Sequence, residues 1–128
     1  MAETTRLRRD DGGGRGTLVH VTAQVAKLFG GVRFLADGAE HQQLWVDGLR
    51  AVDDGGFGYA GNVFVAIRIT EGGIGREIPF VVDTPVELQG MFIPANEAQA
   101  GQNDPGLPVL HFTHAPVGFV VYDGVTYR

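Results

Sequence analysis

The chain has 128 residues, of which 44% are hydrophobic and 20% are charged, with a formal net charge of −5. The length and composition are those of one globular domain rather than a disordered chain. The sequence contains no cysteine and no serine, which excludes disulfides, thiolate metal ligands and Ser- or Cys-based nucleophiles. No signal peptide and no apolar run of the ~20 residues that span a bilayer are present, so we expect a soluble, cytoplasmic protein without a membrane partner.

The first sixteen residues differ from the rest in composition. They carry four arginines, three acidic residues and four glycines, with almost nothing apolar. Such a segment cannot bury enough apolar surface to fold by itself. The sequence therefore predicts a flexible N-terminal arm over residues 1–16 and a single β domain over residues 17–128.

From residue 17 onward, apolar residues recur at every second position, which is typical of half-buried strands. In residues 18–27, for example, Val19, Val21, Ala23 and Val25 share one face. Asp123-Gly124 between two apolar runs is a hairpin signal. The alternation predicts strands over residues 18–27, 41–49, 62–70, 77–82, 84–93, 109–114 and 119–127.

Short strands joined by glycine-rich turns, with no helical periodicity over ten residues, indicate an all-β fold. The prediction is a small closed or partly open barrel of the OB type, and a β-sandwich is the alternative. Strand parity places Leu88, Phe92, Leu110 and Phe112 together in its core.

Histidines are the best chemical candidates, because neutral imidazole binds metals and transfers protons. His41, His111 and His114 lie on two predicted strands, whereas His20 is expected to be a solvated strand residue. Alternation along a straight strand sends His111 and His114 to opposite faces. We therefore expect a buried, hydrogen-bonded His114 and a more exposed His111, with no metal between them.

Aromatic side chains on strands can also stack on nucleobases. Trp45 and Phe64 have the parity of outward-facing residues, and Arg68 follows Phe64 on the same predicted face. These three residues, with the three histidines, form the tentative binding set. Phosphate binding depends on Lys and Arg, however, and residues 17–128 carry a formal charge of about −6 (six basic against twelve acidic residues).

Five short motifs recur in order along the chain: His41-Gln42, Val86-Glu87-Leu88-Gln89-Gly90, His111-Phe112-Thr113-His114, Gly118-Phe119 and Gly124-Val125-Thr126-Tyr127. Together they resemble the motifs of a small bacterial family, domain-of-unknown-function family 3465, except that Phe112 stands where the family has Trp. The likeness covers residues 21–128. It implies a compact β-barrel and marks His41, His111 and His114, but it implies no reaction.

Three functions follow from these observations. The leading one is a non-catalytic binding module without a cofactor, which holds an oligonucleotide or a protein partner around Trp45, Phe64 and Arg68. The first alternative is a metal-dependent, nuclease-like hydrolase that uses His41, His111 and His114. The second alternative is a structural subunit that self-assembles into a homo-oligomer through a strand edge.

Overall fold

The computed structural model describes residues 16–30, 33–34, 38–53, 55–98 and 103–128, and these residues form strands, turns and loops but no helix. The described residues therefore contain no helix that is long and apolar enough to cross a membrane. The predicted arm lies outside the described residues except for Gly16. The strands are β1 (Thr17–Leu28), β2 (Arg33–Phe34), β3 (Glu40–Ala51), β4 (Gly58–Tyr59), β5 (Val63–Arg68), β6 (Pro85–Ile93), β7 (Val109–His111), β8 (Phe119–Tyr122) and β9 (Val125–Tyr127).

Five of these strands close into a barrel. Their order is β1-β3-β5-β7-β6, and β6 pairs again with β1, so that β1 has a neighbour on both edges. The β5–β7 pair is parallel and the other barrel pairs are antiparallel. This closed five-stranded barrel confirms the predicted all-β fold of the OB type over the sandwich alternative.

The barrel interior follows the predicted alternation. On β1, Val19, Val21, Ala23 and Val25 are all buried, and every second residue between them is more exposed. The β1–β3 register shifts between Thr22 and Gln24 and again between Val25 and Lys27. Such bulges increase local bending, which lets a single 12-residue strand complete the barrel on both sides.

The strand predicted over residues 77–82 does not form. Ile78 and Phe80 are buried as alternation requires, but Val82 is 41% exposed and the segment joins no ladder. Side chains take the place of a neighbouring strand: the Val81 N–H donates to the Tyr122 hydroxyl at 2.9 Å. The two-residue strands β2 and β4 carried no alternation signal and were not predicted.

The strand predicted over residues 109–114 ends early, at His111. Phe112 has a φ of +58°, a left-handed conformation that bulky residues rarely adopt and that terminates the ladder. Leu88, Phe92 and Leu110 belong to the core, but Phe112 is half-buried outside it. Its predicted place in the core is therefore wrong, because parity applies only while the strand continues.

A buried glutamine closes one end of the barrel. Gln42 faces inward on β3, accepts a hydrogen bond from the Ile78 N–H and donates one to the Ile78 carbonyl, both at 2.8 Å. Both residues are buried, at 8% and 1% exposure. The side-chain amide is thus the acceptor for the buried Ile78 N–H, while the Ile78 carbonyl accepts from this amide and also from the Phe80 N–H at 2.8 Å.

We expect Gln42→Ala to lower the free energy of unfolding by roughly 1–3 kcal/mol, because the buried Ile78 N–H loses its acceptor while the Ile78 carbonyl keeps the Phe80 N–H. Urea denaturation measures this change. Gln24→Ala, at an exposed position on β1, is the matched control and should change stability by less than about 0.5 kcal/mol. Equal stabilities of the two variants would show that these hydrogen bonds do not stabilise the barrel.

Candidate functional site

The leading sequence prediction puts a ligand around Trp45, Phe64 and Arg68. Trp45 and Phe64 lie on the outer face of the sheet formed by β3, β5, β7 and β6. Strand pairing aligns Trp45, Phe64, Val109 and Ile93 in one row across this face. Phe64 points outward but is only 7% exposed, and Met91 on the same face is 1% exposed. Outward side chains become buried only when another part of the chain covers them. The expectation that Phe64 is an exposed stacking platform is therefore wrong.

Part of the cover is the loop between β6 and β7, in residues 103–108, which we call the cover segment. The Trp45 indole N–H donates to the Asn103 carbonyl at 2.8 Å, and the Asn103 side-chain amide donates to Gln43 Oε1 at 2.7 Å. Asp104, itself buried, holds the turn by accepting from the Gly106 and Leu107 N–H groups at 3.1 and 2.8 Å. The cover segment therefore already occupies the Trp45 N–H and Gln43 Oε1, two polar groups of this face to which an external ligand would otherwise bind.

Trp45 is half-buried and also contacts a second aromatic residue. The Phe29 ring lies edge-on to it at a centroid distance of 6.0 Å. Lys27 Nζ lies 5.3 Å from the Trp45 ring centroid and 5.6 Å from that of Phe29. Lys27 thus makes a cation–π contact with both rings, and the cation is supplied by the protein itself.

Arg68 is not part of that cluster. It pairs with His41 in the β3–β5 ladder, four residues along from the Trp45–Phe64 pair. Its guanidinium donates to the Glu71 carbonyl at 3.2 Å. The structure therefore does not bring the three predicted residues together as one exposed surface.

His41 is the most buried of the three predicted histidines, at 7% exposure. Its Nδ1 donates to the Ala39 carbonyl at 3.1 Å. The ring is thus oriented by the backbone at the start of β3, as expected for a histidine that contributes to structure.

His111 and His114 both contact the ring of Phe112, at centroid distances of 4.3 and 6.4 Å. Because the strand ends at His111, the alternation that was expected to separate them does not apply. His114 donates from Nδ1 to the Ala115 carbonyl at 2.9 Å, but it is half-buried, as His111 is. The expected bond of His114 to a backbone group is confirmed, and the expectation that His111 is the more exposed of the two stays a prediction.

His20 is half-buried on the β1–β6 surface. Its Nε2 lies 2.5 Å from Glu87 Oε2, and its ring meets Phe119 edge-on at 5.2 Å. Across the part of the chain that the structure describes, no three or more His, Cys, Asp or Glu side chains form a group able to hold a metal ion.

A groove at the end of the barrel was not predicted. We call it the barrel-end groove; it has a volume of about 540 Å³. Its aromatic wall is continuous, because Phe92 contacts Phe57 at 4.9 Å and Tyr59 at 5.8 Å between ring centroids. Tyr59 remains 37% exposed. The groove is lined by Thr17, Gly56, Phe57, Gly58, Tyr59, Phe92, Pro94, Ala95, Asn96 and Pro108.

Strand β4 positions the aromatic wall. It pairs with the end of β3 through Leu49–Tyr59, and the Ala51 N–H donates to the Phe57 carbonyl at 2.9 Å. Phe57 and Tyr59, two residues apart, consequently point to the same side, over Phe92. In the sequence, the two-residue spacing of Phe57 and Tyr59 was the only sign of a strand, and the glycines around them indicated a loop instead.

Fold and surfaces together define an OB-type barrel whose outer face on β3 and β5 is partly covered and whose end carries an aromatic groove. Comparison of the chain with protein-family models, curated proteins and solved structures finds no match. The resemblance to domain-of-unknown-function family 3465 therefore stays a prediction.

The single tryptophan reports on the cover segment. Asn103 has a φ of +67°, which glycine also adopts, so Asn103→Gly removes the bond to Gln43 without imposing a new conformation. We expect acrylamide to quench Trp45 fluorescence more strongly in this variant. Asn96→Gly, at an exposed position in the same loop, should leave quenching unchanged. Identical quenching in all three proteins would mean that the Asn103–Gln43 bond does not hold the cover in place.

Proposed function

We propose that the protein is a non-catalytic binding module that receives apolar side chains of a protein partner in the barrel-end groove. The observation that carries this proposal is the open aromatic wall of Phe57, Tyr59 and Phe92. Its volume, about 540 Å³, is within the roughly 300–1,000 Å³ range of sites that hold drug-sized ligands. Partly exposed aromatic side chains are also the residues that dominate binding energy at protein interfaces.

The chemistry of the groove favours binding over catalysis. Its lining combines aromatic rings and prolines with the Thr17 hydroxyl and the Asn96 amide, and no described lining residue carries a carboxylate or an imidazole. General acid–base chemistry depends on such titratable groups near the substrate. The groove therefore offers contact area and a few hydrogen bonds, which are the means of recognition.

Charge favours a protein partner over an oligonucleotide. The formal net charge is −5, and none of the described lining residues is Lys or Arg. Oligonucleotide affinity comes largely from neutralising phosphates with these two residues. Lys27 beside Phe29 and Trp45 is the alternative location at which an oligonucleotide would stack.

Amide chemical-shift mapping tests the proposal with two probes, N-acetyl-tryptophanamide at millimolar concentration and the oligonucleotide dT10. We expect the amino-acid amide to shift Gly56, Gly58, Tyr59 and Asn96, and dT10 to leave all residues unshifted. Shifts at Lys27 and Trp45 with dT10 would favour the oligonucleotide alternative. No groove shift with the amide would overturn the proposed site.

Tyr59→Ser should weaken binding of the amide about tenfold or more, because truncating an aromatic anchor costs at least ~1.4–2 kcal/mol. Val125→Ser is the control, since Val125 is similarly exposed (39%) but lies on β9. Thermal unfolding of both variants establishes that a loss of binding is not a loss of fold. Equal affinity in both variants would remove Tyr59 from the site.

A further inference from the structure

Several aromatic rings outside the groove lie beneath a cation of the described residues. Lys27 lies over Trp45, Arg76 lies 4.8 Å from the Tyr127 ring centroid, and Arg128 lies 5.6 Å from that of Phe119. No cation of the described residues lies over the rings of the barrel-end groove, although Tyr59 is 37% exposed. Within the described part of the chain, these electron-rich ring faces therefore have no cationic partner, and they can accept one from a ligand.

Acidic residues flank the same groove. Asp53 lines a small cleft together with Phe57, and Glu97 follows the lining residue Asn96; both acids are exposed. Arg50, the register partner of Gly58, is the described basic residue nearest in the ladder. The two carboxylates outnumber the one guanidinium near the groove. Residues 17–128 as a whole carry a formal charge of about −6 (six basic against twelve acidic residues). Both the local and the overall charge favour a cationic ligand.

We propose that the barrel-end groove binds a peptide segment of a protein partner in which an arginine adjoins an apolar residue. This inference rests on the proposed function and specifies the chemistry of the partner. The planar guanidinium stacks on Tyr59 or Phe57, which a lysine ammonium does less well. The neighbouring apolar side chain contacts Phe92, Pro94 and Pro108, and the flanking carboxylates attract the arginine.

Three synthetic peptides separate the contribution of the arginine charge to binding from that of the apolar side chain. They are acetyl-Gly-Arg-Leu-Arg-Gly-amide, its glutamine counterpart and its glutamate counterpart, each titrated against the full chain by amide chemical-shift mapping. We expect the arginine peptide to shift Gly56, Gly58, Tyr59 and Asn96 and to bind at least tenfold more tightly than the glutamate peptide. The glutamine peptide should have intermediate affinity, and the difference between the three should shrink at high salt.

Matched variants identify the groups responsible. Asp53→Asn with Glu97→Gln should bring the affinity of the arginine peptide close to that of the glutamine peptide; the asparagine retains the oxygen that accepts from the Gly55 N–H at 2.8 Å. Asp123→Asn removes an exposed carboxylate in the β8–β9 turn and should change nothing. Tyr59→Ser should weaken the binding of all three peptides.

The outcomes distinguish this inference from the proposed function. Binding of all three peptides in the groove with equal affinity would overturn the arginine preference and leave the binding module standing. No groove shift with any peptide would overturn both. The chain's own residues 6–9 read Arg-Leu-Arg-Arg, so Leu7→Ser in the full chain is included. Tighter peptide binding in that variant would identify the occupant as the chain's own segment and overturn the partner.

Discussion

Closure of the barrel depends on β1, because this strand pairs with β6 along its first part and with β3 along its second part. Its first eight residues pair with β6, and its residues from Val21 onward pair with β3, so the two ladders overlap in the middle of the strand. The bulged register is what lets one strand serve both neighbours. Because β1 begins beside the end of β6, the same closure brings Thr17 and Phe92 together at one end of the barrel, where the groove lies.

The alternation of apolar residues predicted most of the barrel, because alternation records which face of a strand meets the core. It predicted β1, β3, β5 and β6 to within a few residues, and it predicted the β8–β9 hairpin. It failed for Phe112 and for residues 77–82, where the deciding groups are a left-handed residue and side-chain partners from β3 and β8. Neither leaves a periodic trace in the local sequence.

The candidate site was less predictable than the fold. Parity correctly placed Trp45 and Phe64 outside the barrel, but whether an outside residue is exposed depends on a loop about 40–60 residues away in sequence. Phe57 and Tyr59 were overlooked for the opposite reason: Tyr59 belongs to a two-residue strand among glycines, which Phe57 directly precedes, and no local pattern reveals the pairing of that strand with β3. Of the three predicted histidines, His111 and His114 both contact the ring of Phe112, whereas His41 is held at the start of β3 by the Ala39 carbonyl.

Gln42 has a consequence for how the sequence can vary. One side chain supplies the donor and acceptor that a neighbouring strand would otherwise supply to Ile78. Residues 69–84 are also anchored by Phe80 in the core and by the bond from Val81 to Tyr122, whereas Glu71 and Gly72 are exposed, so the chain can change length at that turn without disturbing the strand order. This connection is accordingly a suitable place for grafting a foreign peptide, with Gln42 and Ile78 retained as the anchor on which the insertion is mounted.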